Sequence, residues 1–261
     1  MSAPTPTALL AVARLAAIRA GDHARHHHGR RDEVDSLSRH DVKHKLDVEC
    51  QTLATATIEA AFPGHAILGE ETAGDEYPAP PGVEWIIDPI DGTVNYFHGL
   101  PYWCCSIAAR TDGVLQAGVV YAPEMQLCFE AALDGPALCN NRPIRCSSRT
   151  QLSHALVHTG TDQSEDPTRS LRFFSALAER VQRPRIMGAA ALDICQVAQG
   201  ASDGYFEHGI YLWDIAAASL ILARAGGADE VLRMHGRYRL AYLASNGHLH
   251  GALRQALTQA M

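Results

Sequence analysis

The stretch Trp85-Ile86-Ile87-Asp88-Pro89-Ile90-Asp91-Gly92-Thr93 carries the reading of this chain. Trp85, Ile86 and Ile87 form an apolar run of strand type, so Asp88 stands at a strand's carboxyl end. Pro89 fixes its own φ and removes a backbone donor, which predicts a turn there. Asp91 follows closely enough for both carboxylates to touch one hard cation, and the turn would expose the Ile90 carbonyl as a further oxygen. Gly92 lets the backbone approach a ligand closely. Thr93 is expected to open a short helix whose amides can hold a phosphate. Oxygen donors alone suit Mg²⁺ rather than zinc. A turn with Asp caps would explain a bare Asp-x-x-Asp. It leaves an Asp at a buried strand end followed by Gly-Thr unexplained.

Three more segments extend this wall. Glu70 follows Ala66-Ile67-Leu68-Gly69, another strand end. Asp214 follows Trp213 at the start of an apolar helix, where an Asp is equally at home as an N-cap. Asp47 lies in the first turn of a helix, where compensation of the macrodipole would suffice. Each is weak alone. Together they set carboxylates at strand ends and helix starts, where open α/β sheets form ligand sites.

The flanking pattern predicts a helix from Pro6 to Arg25 with Thr5 as N-cap, then a mobile loop from Gly29 to His40. A second helix is expected over Leu46–Phe62 and strands over Ala66–Gly69 and Glu84–Ile87, with a loop across Tyr77–Gly82. Tyr102–Ala109, Leu115–Tyr121 and Leu127–Ala131 read as strands of an antiparallel sheet, with turn dipeptides at Asp112-Gly113 and Asp134-Gly135 and a further hairpin at Asn140-Asn141 before Ile144. After Thr150 strands and helices alternate. Strands are expected at Ala155–Thr159, Arg185–Met187, Gly204–Glu207 and Leu240–Ala244. Helices are expected near Pro167–Arg180, Ala190–Gln199, Leu212–Ala225 and Gly247–Gln259. The chain thus divides into residues 1–150, helices over antiparallel sheet, and 151–261, an α/β half, which together complete one site in one compact unit.

The 261 residues carry a net charge of −7 and no long Lys/Arg run, so nucleic acid and anionic membranes are poor partners. Seven cysteines, odd in number and without CxxC spacing, suit buried free thiols in a reducing cytoplasm. The Ala-rich stretch Ala8–Ala20 faintly suggests a transit peptide, but an amphipathic helix with Leu9, Val12 and Ala16 on one face explains it better. His26-His27-His28 read as a solvated helix end, and Cys104-Cys105 as packing residues. His98 is open between lining the site and a structural role.

These segments, with Gly118-Val119-Val120-Tyr121, Gly188-Ala189-Ala190-Ala191, Asp203-Gly204-Tyr205-Phe206-Glu207 and Trp213-Asp214-Ile215-Ala216-Ala217, occur in an order and spacing that resemble the inositol monophosphatase family of lithium-sensitive, metal-dependent sugar phosphatases. The resemblance runs from about Gly21 to the C-terminus and includes Asp41 and Asp47 as Asp-x5-Asp. It implies a layered αβαβα sandwich, of the type shared with fructose-1,6-bisphosphatase, and a homodimer. It implies Mg²⁺-dependent hydrolysis of a small phosphate monoester, an inositol monophosphate or similar polyol phosphate. Glu70, Asp88, Asp91, Asp214 and the Ile90 carbonyl would hold two or three Mg²⁺ ions. Glu70 and Thr93 would orient the attacking water, with Asp47 positioning the Thr93 hydroxyl. Gly92 and Thr93 amides would bind phosphate. Gly188 belongs to the same substrate wall, and Asp91, Ala190 and Glu207 would meet substrate hydroxyls.

Departures stand at Arg224, where the family usually has Glu, and at Val42-Lys43-His44-Lys45-Leu46, where Val-Thr is common. Arg39 or His40 would have to replace a loop lysine. None removes a core metal ligand. They keep open the same chemistry on fructose 1,6-bisphosphate, histidinol phosphate or a 3′-phosphoadenosine nucleotide. A non-catalytic metal-binding interaction protein on this scaffold is a further alternative.

Overall fold

The computed structural model describes residues 4–37, 42–72, 81–161 and 168–259. Asp41, Arg39, His40 and most of the Tyr77–Gly82 loop lie outside the described residues. Helix α1 (Pro6–His26) begins as its sequence requires: Thr5 Oγ1 accepts from the Ala8 amide at 3.2 Å, and proline opens the first turn. Its buried face is Leu9, Ala13, Ala16, Ala17, Ala20 and Ala24. Small side chains there let the helix lie close on a sheet. The His26–His28 run ends the helix, with His26 and His27 ring nitrogens bonded to the carbonyls of Asp22 and His23.

Strands β1 (Val34–Leu37) and β2 (Val42–His44) pair antiparallel. The loop expected over Gly29–His40 is therefore partly a strand. Its charged residues hid a β-pairing that only the partner strand reveals. Helix α2 (Lys45–Ala61) follows. Strands β3 (Ala66–Gly69), β4 (Val83–Asp91), β5 (Cys104–Thr111), β6 (Val114–Ala122), β7 (Leu127–Ala132), β8 (Leu138–Cys139) and β9 (Arg142–Pro143) form one sheet in chain order. Helix α3 (Thr93–Phe97) interrupts between β4 and β5. Only β3 and β4 are parallel; the remaining pairs are antiparallel. The expected turns carry positive φ at Asp112, Gly113, Asn140 and Asn141, as tight hairpins demand.

The second sheet has the order β11-β10-β12-β14-β13, built from β10 (Leu156–Thr159), β11 (Arg183–Arg185), β12 (Gly204–Tyr211), β13 (Ala228–Met234) and β14 (Arg239–Ser245). Helices α4 (Thr168–Ala178), α5 (Ala190–Ala198), α6 (Leu212–Arg224) and α7 (His250–Thr258) complete the chain. The sheet is mixed: β10 is parallel to β11 and β12, whereas β14 is antiparallel to β12 and β13. Three expectations shift here. The strand placed at Arg185–Met187 sits earlier, the last helix starts at His250 instead of Gly247, and β13 was missed. β13 is an exposed edge strand reading Ala-Asp-Glu-Val-Leu-Arg-Met, too charged to signal a buried strand.

Three cores separate five layers. One lies between α1, α2 and the first sheet and contains Leu46, Trp85, Ile87, Ile90 and Trp103. A second holds α5 and α6 between the two sheets. The third seats Phe173, Leu177, Leu253 and Leu257 of α4 and α7 against Phe206 and Leu243 of the second sheet. The order is αβαβα, as expected. The middle layer sits tight: a Cβ on Gly118 of β6 would strike the Ala217 backbone of α6.

Candidate active site

Strand β4 does not end at Asp88, nor does Pro89 make a turn. The strand runs on to Asp91 through a bulge: Asp88 pairs with Ser106 and Asp91 with Cys104, three steps against two. The missing proline donor is harmless in a bulge. The bulge has a chemical consequence. Side chains alternate along a strand, so residues three apart face opposite ways. Trp85, Ile87 and Ile90 point into the core beneath α1 and α2, while Ile86 points toward α6. One inserted residue returns Asp91 to the side of Asp88. Both carboxylates then share the cavity between the sheets, and Ile90, whose side chain is buried the other way, presents backbone to it.

Neighbouring elements bring the other acids in. The parallel register sets Gly69 beside Ile87, which carries Glu70 alongside Asp88. Ser106, the partner of Asp88, donates to the Trp213 carbonyl at 3.4 Å, fixing the start of α6 and with it Asp214. Asp214 is the third residue of that helix rather than its N-cap, and its Oδ2 accepts from the Tyr211 amide at 2.9 Å. Gly92 turns the chain in the left-handed region (φ 93°) before Thr93 opens α3. Asp91 accepts the Ala190 and Ala191 amides of α5 at 3.1 and 2.7 Å, and the Cys104 thiol at 3.5 Å. The Ala190 amide is thus engaged by Asp91, while Ala190 still lines the cavity.

The cavity measures about 360 Å³ and is lined by Glu70, Asp88, Ile90, Asp91, Gly92, Thr93, Gly188, Ala190, Glu207 and Asp214, every site residue expected except Asp47. Asp47 is buried in the first turn of α2, outside the lining. His98 is an exposed C-cap of α3 and does not line the cavity. Arg224 lies on the surface, its Nε donating to the Gly135 carbonyl at 2.7 Å.

The acids repel one another. Burial first, then the charges of Glu70, Asp91 and Asp214, holds Asp88 well above the ordinary carboxylate range. Burial and then Glu70 and Asp91 do the same to Asp214. Asp91 is pushed up to about 7 by burial, against the Ala191 amide, which pulls it down. Asp88 is 1% exposed, and its Oδ1 has no hydrogen-bond partner among the described residues. A buried anion without a donor is costly. A hard cation meets that demand, and the all-oxygen donor set fits Mg²⁺. Among the described residues no three acidic, His or Cys side chains converge on a single point. Glu70, Asp88, Asp91 and Asp214 line one cavity, and Ile90 lines it with them.

Sequence reasoning missed a buried group on the same cavity. Asp193 of α5 accepts from the Tyr102 hydroxyl at 2.7 Å and stands 3.1 Å from His158 Nδ1 of β10. Burial first raises the Asp193 carboxyl, with His158 and Tyr102 opposing. A lone Asp within Ala190-Ala191-Leu192-Asp193-Ile194-Cys195 was the available signal.

Two mixed sheets layered with helices match the fold of solved inositol monophosphatases. That of Anabaena (Nostoc) sp. superposes with a TM-score of 0.86 at 34% identity, over 97% of this chain and 96% of that one. The chain matches the model of the inositol monophosphatase family over residues 6–261, and it belongs to that family. It is 39% identical over 198 residues to a protein of Neisseria meningitidis serogroup B named putative Nus factor SuhB, covering 75% of each. It is 36% identical over 225 residues to the inositol-1-monophosphatase of Synechocystis sp., covering 83% of this chain and 77% of that protein. Among the described residues no helix is long and apolar enough to cross a membrane.

Proposed function

We propose that this chain hydrolyses a small phosphate monoester, an inositol monophosphate or similar polyol phosphate, with Mg²⁺. The observation that carries this reading is Asp88: a buried carboxylate, one oxygen without a partner among the described residues, beside acids that repel it. Glu70, Asp88, Asp91, Asp214 and the Ile90 carbonyl would hold the metal. Bound there, Mg²⁺ supplies charge neutralisation and Lewis acidity, which phosphoryl transfer needs more than covalent chemistry.

The chain's own groups do the rest. Glu70, half-buried on the cavity wall, takes the proton of the attacking water. The Thr93 hydroxyl orients that water, and Asp47 supports Thr93 from behind the lining. Gly92 and Thr93 amides hold phosphate oxygens where the left-handed Gly92 opens the backbone. Asp91 bonds the start of α5, so the half bearing Glu207 is registered against β4. A homodimer, a cytoplasmic location and inhibition by lithium belong to the same reading.

Relatives named Nus factor SuhB favour a second reading, in which the scaffold serves a partner and not catalysis. Phosphate release decides. The panel is an inositol monophosphate, fructose 1,6-bisphosphate, histidinol phosphate and a 3′-phosphoadenosine nucleotide, each with Mg²⁺ or with EDTA. Mg²⁺-dependent turnover of the inositol ester above the others is expected. Release from none of them would sink the catalytic reading in favour of the second.

A further inference from the structure

Asn95 of α3 lines the cavity two residues beyond Thr93 and is none of the residues assigned to metal or substrate. Its side-chain nitrogen donates to two backbone carbonyls at 2.8 Å each: that of Tyr102, ahead of β5, and that of Met187, ahead of α5. An amide nitrogen has two N–H donors, and both are spent, so the side chain has one orientation. Tyr102 is itself tied. Its hydroxyl donates to Asp193 of α5 at 2.7 Å, and burial first, then the Asp193 charge, raises the phenol so that it stays a donor. Gly92 meets the same stretches: a Cβ there would stand 3.1 Å from the Tyr102 and Gly188 carbonyl oxygens. The Gly92-Thr93 turn is thus backed by the two pieces of chain that Asn95 holds together. A helix of five residues is too short to fix that turn by its own hydrogen bonds.

We propose that Asn95 and Tyr102 are positioning residues that latch the Gly92-Thr93 turn to α5, so that its donors stand in place before a phosphate group arrives. The inference rests on the phosphatase reading above. Donors already held in place avoid the cost of being ordered on binding. The latch serves the part common to every phosphate ester, so its loss weakens each of them alike, whatever the alcohol. Glu70, Asp88 and Asp214 stand on other segments, after β3, on β4 and on α6, so the response to Mg²⁺ alone should persist without it.

The test compares wild type, N95A and Y102F with Mg²⁺. Binding of inorganic phosphate is read by titration calorimetry, and turnover on an inositol monophosphate and on 4-nitrophenyl phosphate. Y102F should weaken phosphate about five-fold, the size of one hydrogen bond, and raise the KM of both esters by a similar factor, with kcat moving less. N95A removes two hydrogen bonds and should act further in the same direction, about twenty-fold. Both should keep the rise in unfolding temperature that Mg²⁺ alone gives. Leu253→Ala, which opens a void in the outer core far from the turn, should lower stability and leave phosphate affinity unchanged. Y102F carries the test alone if N95A fails to fold. Unchanged phosphate affinity in the folded variants, a KM change confined to one ester, loss of the Mg²⁺ response, or a weakening that Leu253→Ala reproduces overturns the proposal and leaves the phosphatase reading standing. Release from neither ester by wild type overturns both.

Discussion

Asp88 and Asp203 are both buried aspartates, 1% and 0% exposed, yet the fold treats them oppositely. Asp203 is satisfied from within. It accepts from the Ser147 hydroxyl at 2.5 Å, the Arg149 guanidinium at 3.1 Å and the Leu156 amide at 2.9 Å. It ties the chain before β10 to the start of β12. Asp88 has an oxygen without a partner among the described residues, and its neighbours are acids. A buried charge that the protein pairs serves the fold; one that it leaves facing like charges serves a ligand.

Changing each aspartate separates the two roles most sharply. Asp88→Asn should lower Mg²⁺-dependent phosphate release on the order of a thousandfold, the worth of several kcal/mol of lost charge stabilisation. The same substitution should raise the unfolding temperature in EDTA, because it removes one of the repelling charges. A metal-free Asp88→Asn protein that melts below wild type would break the comparison. Asp203→Ala should do the reverse: about 3 kcal/mol lost in urea unfolding, since donors are stranded in the interior. Among molecules that remain folded, its turnover should change little.

Metal removal sharpens the same contrast without mutation. At a hundred times its dissociation constant, Mg²⁺ should stabilise wild type by about 2.7 kcal/mol in thermal or urea unfolding, and EDTA should reverse it. Asp203→Ala should keep that increment; Asp88→Asn should lose most of it.

The smallest effect belongs to a carboxylate that faces water. Glu49 is held at about 2 by the Arg30 guanidinium first and then by His23. A depressed carboxylate stabilises the fold above its ordinary value of 4.5, and that contribution is lost as pH falls toward 2. Glu49→Gln should therefore lower the melting temperature by only about 2 °C at neutral pH, because solvent screens the pair. The difference should vanish near the acid end of that window.

Much of this protein is legible in its residues. The Thr5-Pro6 start, the glycine and asparagine turns and the apolar runs give most elements, because caps, positive φ and burial are local demands. β13 and β1 were not legible, since an exposed strand is defined by its partner and not by its own pattern. The acids at positions 70, 88, 91 and 214 could be named from order and spacing. Asp193 could not, because its partners Tyr102 and His158 lie on elements distant along the chain.

Sequence by itself singled out the candidate acids and an oxygen-rich donor set. It also implied a turn at Pro89, and there tertiary structure decided otherwise. A turn would have brought Asp88 and Asp91 together by reversing the chain. The strand instead continues, and one bulged residue shifts the side-chain alternation so that both acids face α5 and α6. That choice lies with β5, whose hydrogen bonds hold β4 in register on both sides of the proline, and no local preference of Pro89 contains it.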